Sequence, residues 1–402
     1  MLIPVTVGPP SYRDPMRMMH TSDWHLGRTF HGQSLLADQE SVLGALADLA
    51  VTHAVDVVLI SGDLYDRAVP SPEAVQCATR VLGRIRAAGI SIVAISGNHD
   101  SAPRLGAFSD FLAAGGLHLR TAAARVGEPV LLADAHGQIA FYPVPYLEPD
   151  LVRGNWELPA PASHQQVLTR ALTQARADLA GRPRGTRSVV LAHAFVVGAI
   201  AGGSERSIAV GGVESVSADV FDGFDYVALG HLHGAQTVTE RVRYCGSPLP
   251  YAFSEAGHRK SVLLVDLDDV GAVSAEQIDL PVIRELVTLR GSLAELLAVE
   301  TLSDGTNLVD AYLSVELTDP VRPLEPMRRL REHFPHTLVT QWAPETGAHS
   351  AGARRRATVG HLADDQLLTD FVRDVRGSEP VPSERVLLQQ SLVADRLVER
   401  VR

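Results

Sequence analysis

Between about residues 16 and 281, short apolar runs repeatedly stop dead in side chains of one chemical kind. TSDWHLGR places Asp23 and His25 just after such a run, and DVVLISGD (56–63) ends at Asp63. ISIVAISGNHD (90–100) ends in Asn98, His99 and Asp100, SVVLAHAF (188–195) carries His193, and FDYVALGHLHG (224–234) carries His231 and His233. Near-continuous Val, Ile, Leu and Ala mark strands covered on both faces. A helix is expected from Pro72, with Ser71 as its N-cap, to Gly89. Strands interleaved with helices predict α/β layering. Taken from these runs alone, the sheet is open and largely parallel, and ligands bind such a sheet in the crevice at the carboxyl ends of its strands. All five clusters should therefore converge. In Asp23-x-His25 and His231-x-His233 a period of two turns both members the same way, provided that the chain stays extended.

The donor types narrow the chemistry. Carboxylate, amide oxygen and imidazole together suit Mn, Fe or Zn better than Ca or a thiolate-seeking metal. Asp23, His25, Asp63, Asn98, His193, His231 and His233 are too many ligands for one catalytic ion with an open position. They fit two ions about 3.5 to 4 Å apart that share a bridging carboxylate and clamp both oxygens of a phosphoester displacement. His99 stays free to protonate a leaving oxygen or to stabilise phosphate charge. It needs an orienting partner, with Asp66 the first choice and Asp100 the second; a turn-capping role for Asp100 stands equally open.

A chain of 402 residues has room for two or three domains. The phosphoesterase pattern runs over 16–281, through the later strands RVRYCGS and KSVLLVDLD. Residues 282–345 read strand, helix, strand, helix, strand (ELVTLRG, SLAELLAVE, AYLSVELTD, PLEPMRRLREHF, TLVTQW), a small α/β domain without a catalytic motif. Residues 343–360 have a linker's composition. In the segment 346–402, Leu367, Leu368, Phe371, Val372 and Val375 share a helical face, a break follows at Gly377–Pro382, and a second helix restarts at Ser383. Two such helices after a linker need something to pack on.

A net charge of −11 argues against binding nucleic acid by a general basic surface. It leaves room for a nuclease whose phosphate contacts come from metal, local arginines (Arg28, Arg67 and Arg104 near the loops) and a partner. For each arginine a surface salt bridge is the plainer role. Cys77 and Cys245 form no framework or metal spacing, which implies a reducing compartment, hence the cytoplasm. No run is long enough to span a membrane, and methionines at 16 and 18 suggest that translation starts there. His20, inside a strand, reads as a core histidine. One lysine, Lys260, stands against thirty-five arginines.

The ordered set DxH, GDxxD, GNHD, a lone strand-end His and GHxH resembles the calcineurin-like metallophosphoesterases. The stretches TSDWHLGRTFHGQSLLADQE, ALGHLHGAQ and YCGSPLPYAFSE are similar to their SbcD branch, the nuclease subunits of SbcCD complexes. The resemblance implies a calcineurin-like sandwich with a small α/β capping domain and a C-terminal helical partner-binding segment. It implies one ion, most simply Mn2+, held by Asp23, His25, Asp63 and His233, and another by Asp63, Asn98, His193 and His231, with His99 as the unligated catalytic histidine. It further implies 3′–5′ double-strand exonuclease and single-strand or hairpin endonuclease activity in DNA repair, replication and recombination. The partners implied are DNA and an SbcC-like SMC-type ATPase, in a heterotetramer around a homodimer. A relative acting on small-molecule or protein phosphoesters is the alternative within the superfamily; a non-catalytic scaffold is the alternative outside it.

Overall fold

A computed structural model describes residues 15–200, 205, 215–344, 364–376 and 378–399. Met16 and Met18, the expected translation starts, lie in the first strand, and most of the expected linker, from 345 on, lies outside the described residues. The chain divides into two compact units, Met1–Arg284 and Glu285–Arg402, a boundary three residues from the one expected.

In the first unit β1 (Met16–Thr21), β2 (Val57–Ser61), β3 (Ser91–Ile95) and β4 (Leu117–Arg120) run parallel, with α1 (Leu36–Thr52) after β1 and α2 (Pro72–Ala87) after β2. Then come β5 (Val130–Asp134), β6 (Gly137–Pro143), α3 (His164–Ala180), β7 (Arg187–His193), β8 (Tyr226–Gly230), β9 (Gln236–Thr237), β10 (Val242–Tyr244), β11 (Ser261–Leu267) and β12 (Val273–Asp279). These strands form not one open sheet but two six-stranded sheets, ordered β12-β11-β1-β2-β3-β4 and β9-β10-β8-β7-β6-β5. Each has a parallel centre and antiparallel edges, β11 and β12 in the first, β5 and β9 in the second.

Strand alternation explains the doubly apolar runs. Met16 and Met18, Val57 and Leu59, Val93 and Ile95 point inward and meet Phe141, Val189, Leu191, Tyr226 and Ala228 of the other sheet. The outer face of the second sheet, through Tyr142, Val190, Ala192 and Val227, packs on Val167, Leu168, Ala171 and Leu172 of α3. His20 is buried between the sheets. Its Nδ1 lies 3.0 Å from the Tyr226 hydroxyl and its Nε2 3.0 Å from the Leu229 carbonyl, and burial lowers its pKa to about 3, as for a neutral core histidine. Ser71 caps α2 by accepting from the Ala74 amide, with Pro72 at the first position.

The second unit is built as its sequence reads. Leu286–Gly291, Tyr312–Leu317 and Thr337–Trp342 form a parallel three-stranded sheet, with helices Leu293–Leu296 and Pro326–His333 as crossovers. Leu293, Leu313, Val315, Leu330 and Phe334 close its core. The first helix ends after one turn because the chain folds back on itself, bridging Thr301 to Asn307. Helices Asp364–Arg376 and Pro382–Glu399 pack on each other. No helix among the described residues is long and apolar enough to cross a membrane.

At the end of β7 opposite His193, Arg187 is buried against Asp134, their side chains 2% and 0% exposed, with Arg187 Nη1 2.9 Å from Asp134 Oδ2. Removing one partner of a buried pair strands the other charge. Arg187→Ala is therefore expected to lower the unfolding free energy by about 3–5 kcal/mol in urea titrations. A loss under about 1 kcal/mol, the value of an exposed pair, would show that the pair is hydrated.

Candidate metal centre

The carboxyl ends of β1, β2, β3, β7 and β8 meet along one line where the two sheets face each other, and each contributes one of the clusters found in the sequence. The loops are laced together by main-chain bonds. Asp23 N–H donates to the Gly62 carbonyl (3.1 Å), and His25 N–H to that of Asp63 (2.9 Å). The pairing of Asp23 with His25 does not arise from an extended chain. Asp23, His25, Asp63 and His231 have φ of 54°, 45°, 50° and 102°, all left-handed. Each such residue carries a backbone strain of about 1–3 kcal/mol that the surroundings must hold. Close approach also demands glycine: a Cβ at Gly97 would run into the Asp63 carboxylate, and one at Gly230 into the Ser61 carbonyl.

The donors fall into two groups about Asp63. On one side His25 Nε2 lies 3.2 Å from His233 Nε2 and 3.5 Å from Asp63 Oδ2, and Asp23 joins His25 and His233 in a set of close ligand atoms. On the other, His193 Nε2 lies 2.8 Å from Asn98 Oδ1 and 3.4 Å from Asp63 Oδ2, with Asp23 and Asp63 in one set with it. The His231 ring stands edge-on to His193, 5.3 Å between centroids, and the main-chain amide of His231 donates to both Asp23 oxygens at 3.1 Å. Two buried imidazole nitrogens at 3.2 Å with a carboxylate oxygen beside them are donor types that a divalent cation takes together. The donor set thus fits a pair of ions.

The electrostatics agree. Burial pushes the Asp63 carboxyl up, but the His193 and His25 imidazoles against it outweigh this and hold it well below the carboxylate range. Burial also works to lower His193, yet Asp63 raises it to about 9. Burial raises Asp23, lowers His231 to about 3 and holds His25 well below the usual imidazole value, so the last two present lone pairs.

His99 stands at the rim. Its side chain is 13% exposed, whereas that of His25 is 1% and that of Asp63 2%. Its N–H donates to Asp63 Oδ1 (2.8 Å), and Nδ1 lies 2.8 Å from the main-chain carbonyl of Asp66, whose carboxylate is 4.0 Å away. Asp66 therefore meets His99 through its backbone. The carboxylate instead faces Arg28 Nη1 (3.2 Å) and the otherwise unpartnered His25 Nδ1 (3.6 Å). Asp100 does not orient His99; it accepts the amides of Gly97 (2.9 Å), Leu64 (3.1 Å) and Tyr65 (3.0 Å), bracing one loop against the next. Arg28 lies 4.8 Å over the Tyr251 ring, within the site. Arg67 is largely exposed, 3.8 Å from Asp66, and Arg104 Nη1 donates to the Ala68 carbonyl (3.4 Å).

Several supporting residues escaped the sequence reading. Gln39, wholly buried on α1, donates to the Trp24 (3.0 Å) and His25 (2.7 Å) carbonyls and accepts the Gly27 amide (3.0 Å). Its signal was a polar residue in register with buried Val42, Leu43 and Leu46. Tyr251 holds the same loop, its hydroxyl donating to the Trp24 carbonyl at 2.6 Å. Glu255 and Lys260 stand behind His233.

A family model described as calcineurin-like phosphoesterase matches residues 16–235, and one described as the Type 5 capsule protein repressor C-terminal domain, SbcD_C, matches residues 282–376. Among solved structures, TT1561 of Thermus thermophilus aligns at 14% identity over 65% of this chain and 98% of its own, with a TM-score of 0.39. A dimetal phosphatase from Danio rerio aligns at 11% identity over 67% of this chain and 98% of its own, also at 0.39. A cold-active protein-tyrosine phosphatase of a psychrophilic Shewanella species aligns at 12% identity over 68% and 83%, at 0.29.

Ions that bind only the folded chain stabilise it by about 2.7 kcal/mol at a hundred times Kd. Mn2+ added to metal-stripped protein is expected to raise Tm, and Asp63→Asn, which weakens both sites at once, to abolish most of that rise. An equal rise in the variant would mean that Asp63 is not shared.

Proposed function

The chain belongs to the calcineurin-like phosphoesterases, and from that premise we propose that it is the nuclease subunit of an SbcCD-type complex, cleaving DNA phosphodiesters with two Mn2+ ions. The observation that carries this reading is the double donor cluster about Asp63 with His99 poised beside it at the rim. One ion is assigned to Asp23, His25, Asp63 and His233, the other to Asp63, Asn98, His193 and His231. Bound there, the pair supplies positive charge to the phosphoryl oxygens and lowers the pKa of a water.

The chain's own residues do the rest. The Asp66 carbonyl accepts from His99 Nδ1–H and so turns Nε2 to the site; as an imidazolium the ring gives its Nε2 proton to the departing oxygen and is left as the neutral Nδ1–H tautomer. Arg28, held between Asp66 and the Tyr251 ring beside the cluster, is assigned to a neighbouring phosphate. Arg67 and Arg104 serve as outer phosphate contacts. With a net charge of −11, the affinity for DNA comes from these local charges, the ions and a partner. Residues 282–345 act as a capping domain, and the C-terminal helices dock an SbcC-like ATPase. Phe371, Val386 and Leu387 of those helices are exposed, which supports that role.

With end-labelled linear duplex and a single-stranded circle, Mn2+-dependent cutting is expected, and His99→Ala should lose about 10²–10⁴-fold in kcat while Mn2+ binding persists. Intact DNA, even with the ATPase present, alongside hydrolysis of an aryl phosphodiester would move the substrate to small-molecule or protein phosphoesters. Deletion from residue 346 is expected to abolish capture of the ATPase while leaving aryl phosphodiester hydrolysis unchanged; wild-type capture by the truncated chain would sink the docking role.

A further inference from the structure

Lys260 is the one lysine among thirty-six basic side chains. A chain that uses arginine at every other basic position keeps a lysine where an arginine does not serve, and the surroundings of Lys260 show why. Its side chain is 9% exposed and its Nζ meets three acceptors: Glu255 Oε2 at 2.6 Å, the His233 carbonyl at 2.9 Å and Ser247 Oγ at 3.1 Å. An ammonium has three tetrahedral donors on a compact head; a guanidinium is a larger planar fork and cannot fill the same point.

Glu255, fully buried, turns its other oxygen to His233 Nδ1 at 3.4 Å, and its Oε2 also accepts the Tyr251 amide at 3.2 Å. His233 is thus held at its Nδ1 by Glu255 and at its carbonyl by Lys260 and the Ser247 amide (3.1 Å). Its Nε2 is left facing His25 Nε2 at 3.2 Å. A carboxylate behind a ligating imidazole fixes its tautomer and raises its basicity.

We propose that Glu255 and Lys260 are positioning residues for one ion only, that of Asp23, His25 and His233, and that Lys260 must be a lysine for this purpose. The inference rests on the two-ion reading above. The test counts Mn2+ by calorimetry and electron paramagnetic resonance on full-length chain stripped of metal. Wild type should bind two ions and show spin-coupled Mn2+. Glu255→Gln and Lys260→Arg should each weaken one of the two ions about 10–100-fold and leave the other unchanged, so that a six-line signal of isolated Mn2+ appears at intermediate loading. Ser247→Ala, which removes one acceptor and no charge, should give a milder form of the same selective loss. A purely structural role would lower the Tm of the stripped chain and weaken both ions alike, and that result, or two unchanged ions in all three variants, overturns the proposal. If the wild type itself binds no pair of ions, the centre as assigned fails, and the positioning role with it.

Discussion

Everything in the first unit is arranged around one carboxylate buried where two sheets meet. Asp63 closes β2, faces His25 on one side and His193 on the other, and accepts the main-chain amide of His99. A buried carboxylate among imidazoles from four other strand ends is tolerable only if the charges balance. Asp63 raises the pKa of His193 and burial raises that of Asp23, and the same donor types suit divalent ions. The sandwich itself follows from the same demand. Donors from β1, β2 and β3 of one sheet and from β7 and β8 of the other can reach one point only if the parallel strands of both sheets end at the same edge.

The strain of holding that point is distributed. Four of the candidate ligands sit in left-handed backbone, a conformation ordinary turns reserve for glycine. Gln39 from α1, Asp100 from the β3 loop and Tyr251 from far along the chain pin the loops that carry them. This is a site built by tertiary hydrogen bonds to main-chain atoms, which explains why so many supporting residues are buried and polar.

That also divides what was legible in the sequence from what was not. The strand ends were legible because apolar runs and their polar stops are local, and so were the strands and helices of the second unit. The split into two sheets was implied by the family resemblance but not by the apolar runs, since residues that pack between sheets and residues that pack under helices are equally apolar in Val57–Ser61 or Tyr226–Gly230. The pairing of Asp23 with His25 was right in outcome and wrong in cause: the chain kinks twice where an extended pleat was expected. Asp66 was singled out as a carboxylate, whereas its carbonyl is what His99 meets, because main-chain acceptors leave no trace in residue identity. Gln39 and Lys260 did leave traces, a polar residue on a core stripe and a lone lysine, but each becomes meaningful only once its acceptors are known.

The most direct test of the central claim is anomalous diffraction at the manganese edge from crystals soaked in Mn2+. The account predicts two peaks about 3.5–4 Å apart, one against Asp23, His25 and His233, the other against Asn98, His193 and His231, with the Asp63 carboxylate touching both. A single peak, or two that do not share Asp63, would contradict it.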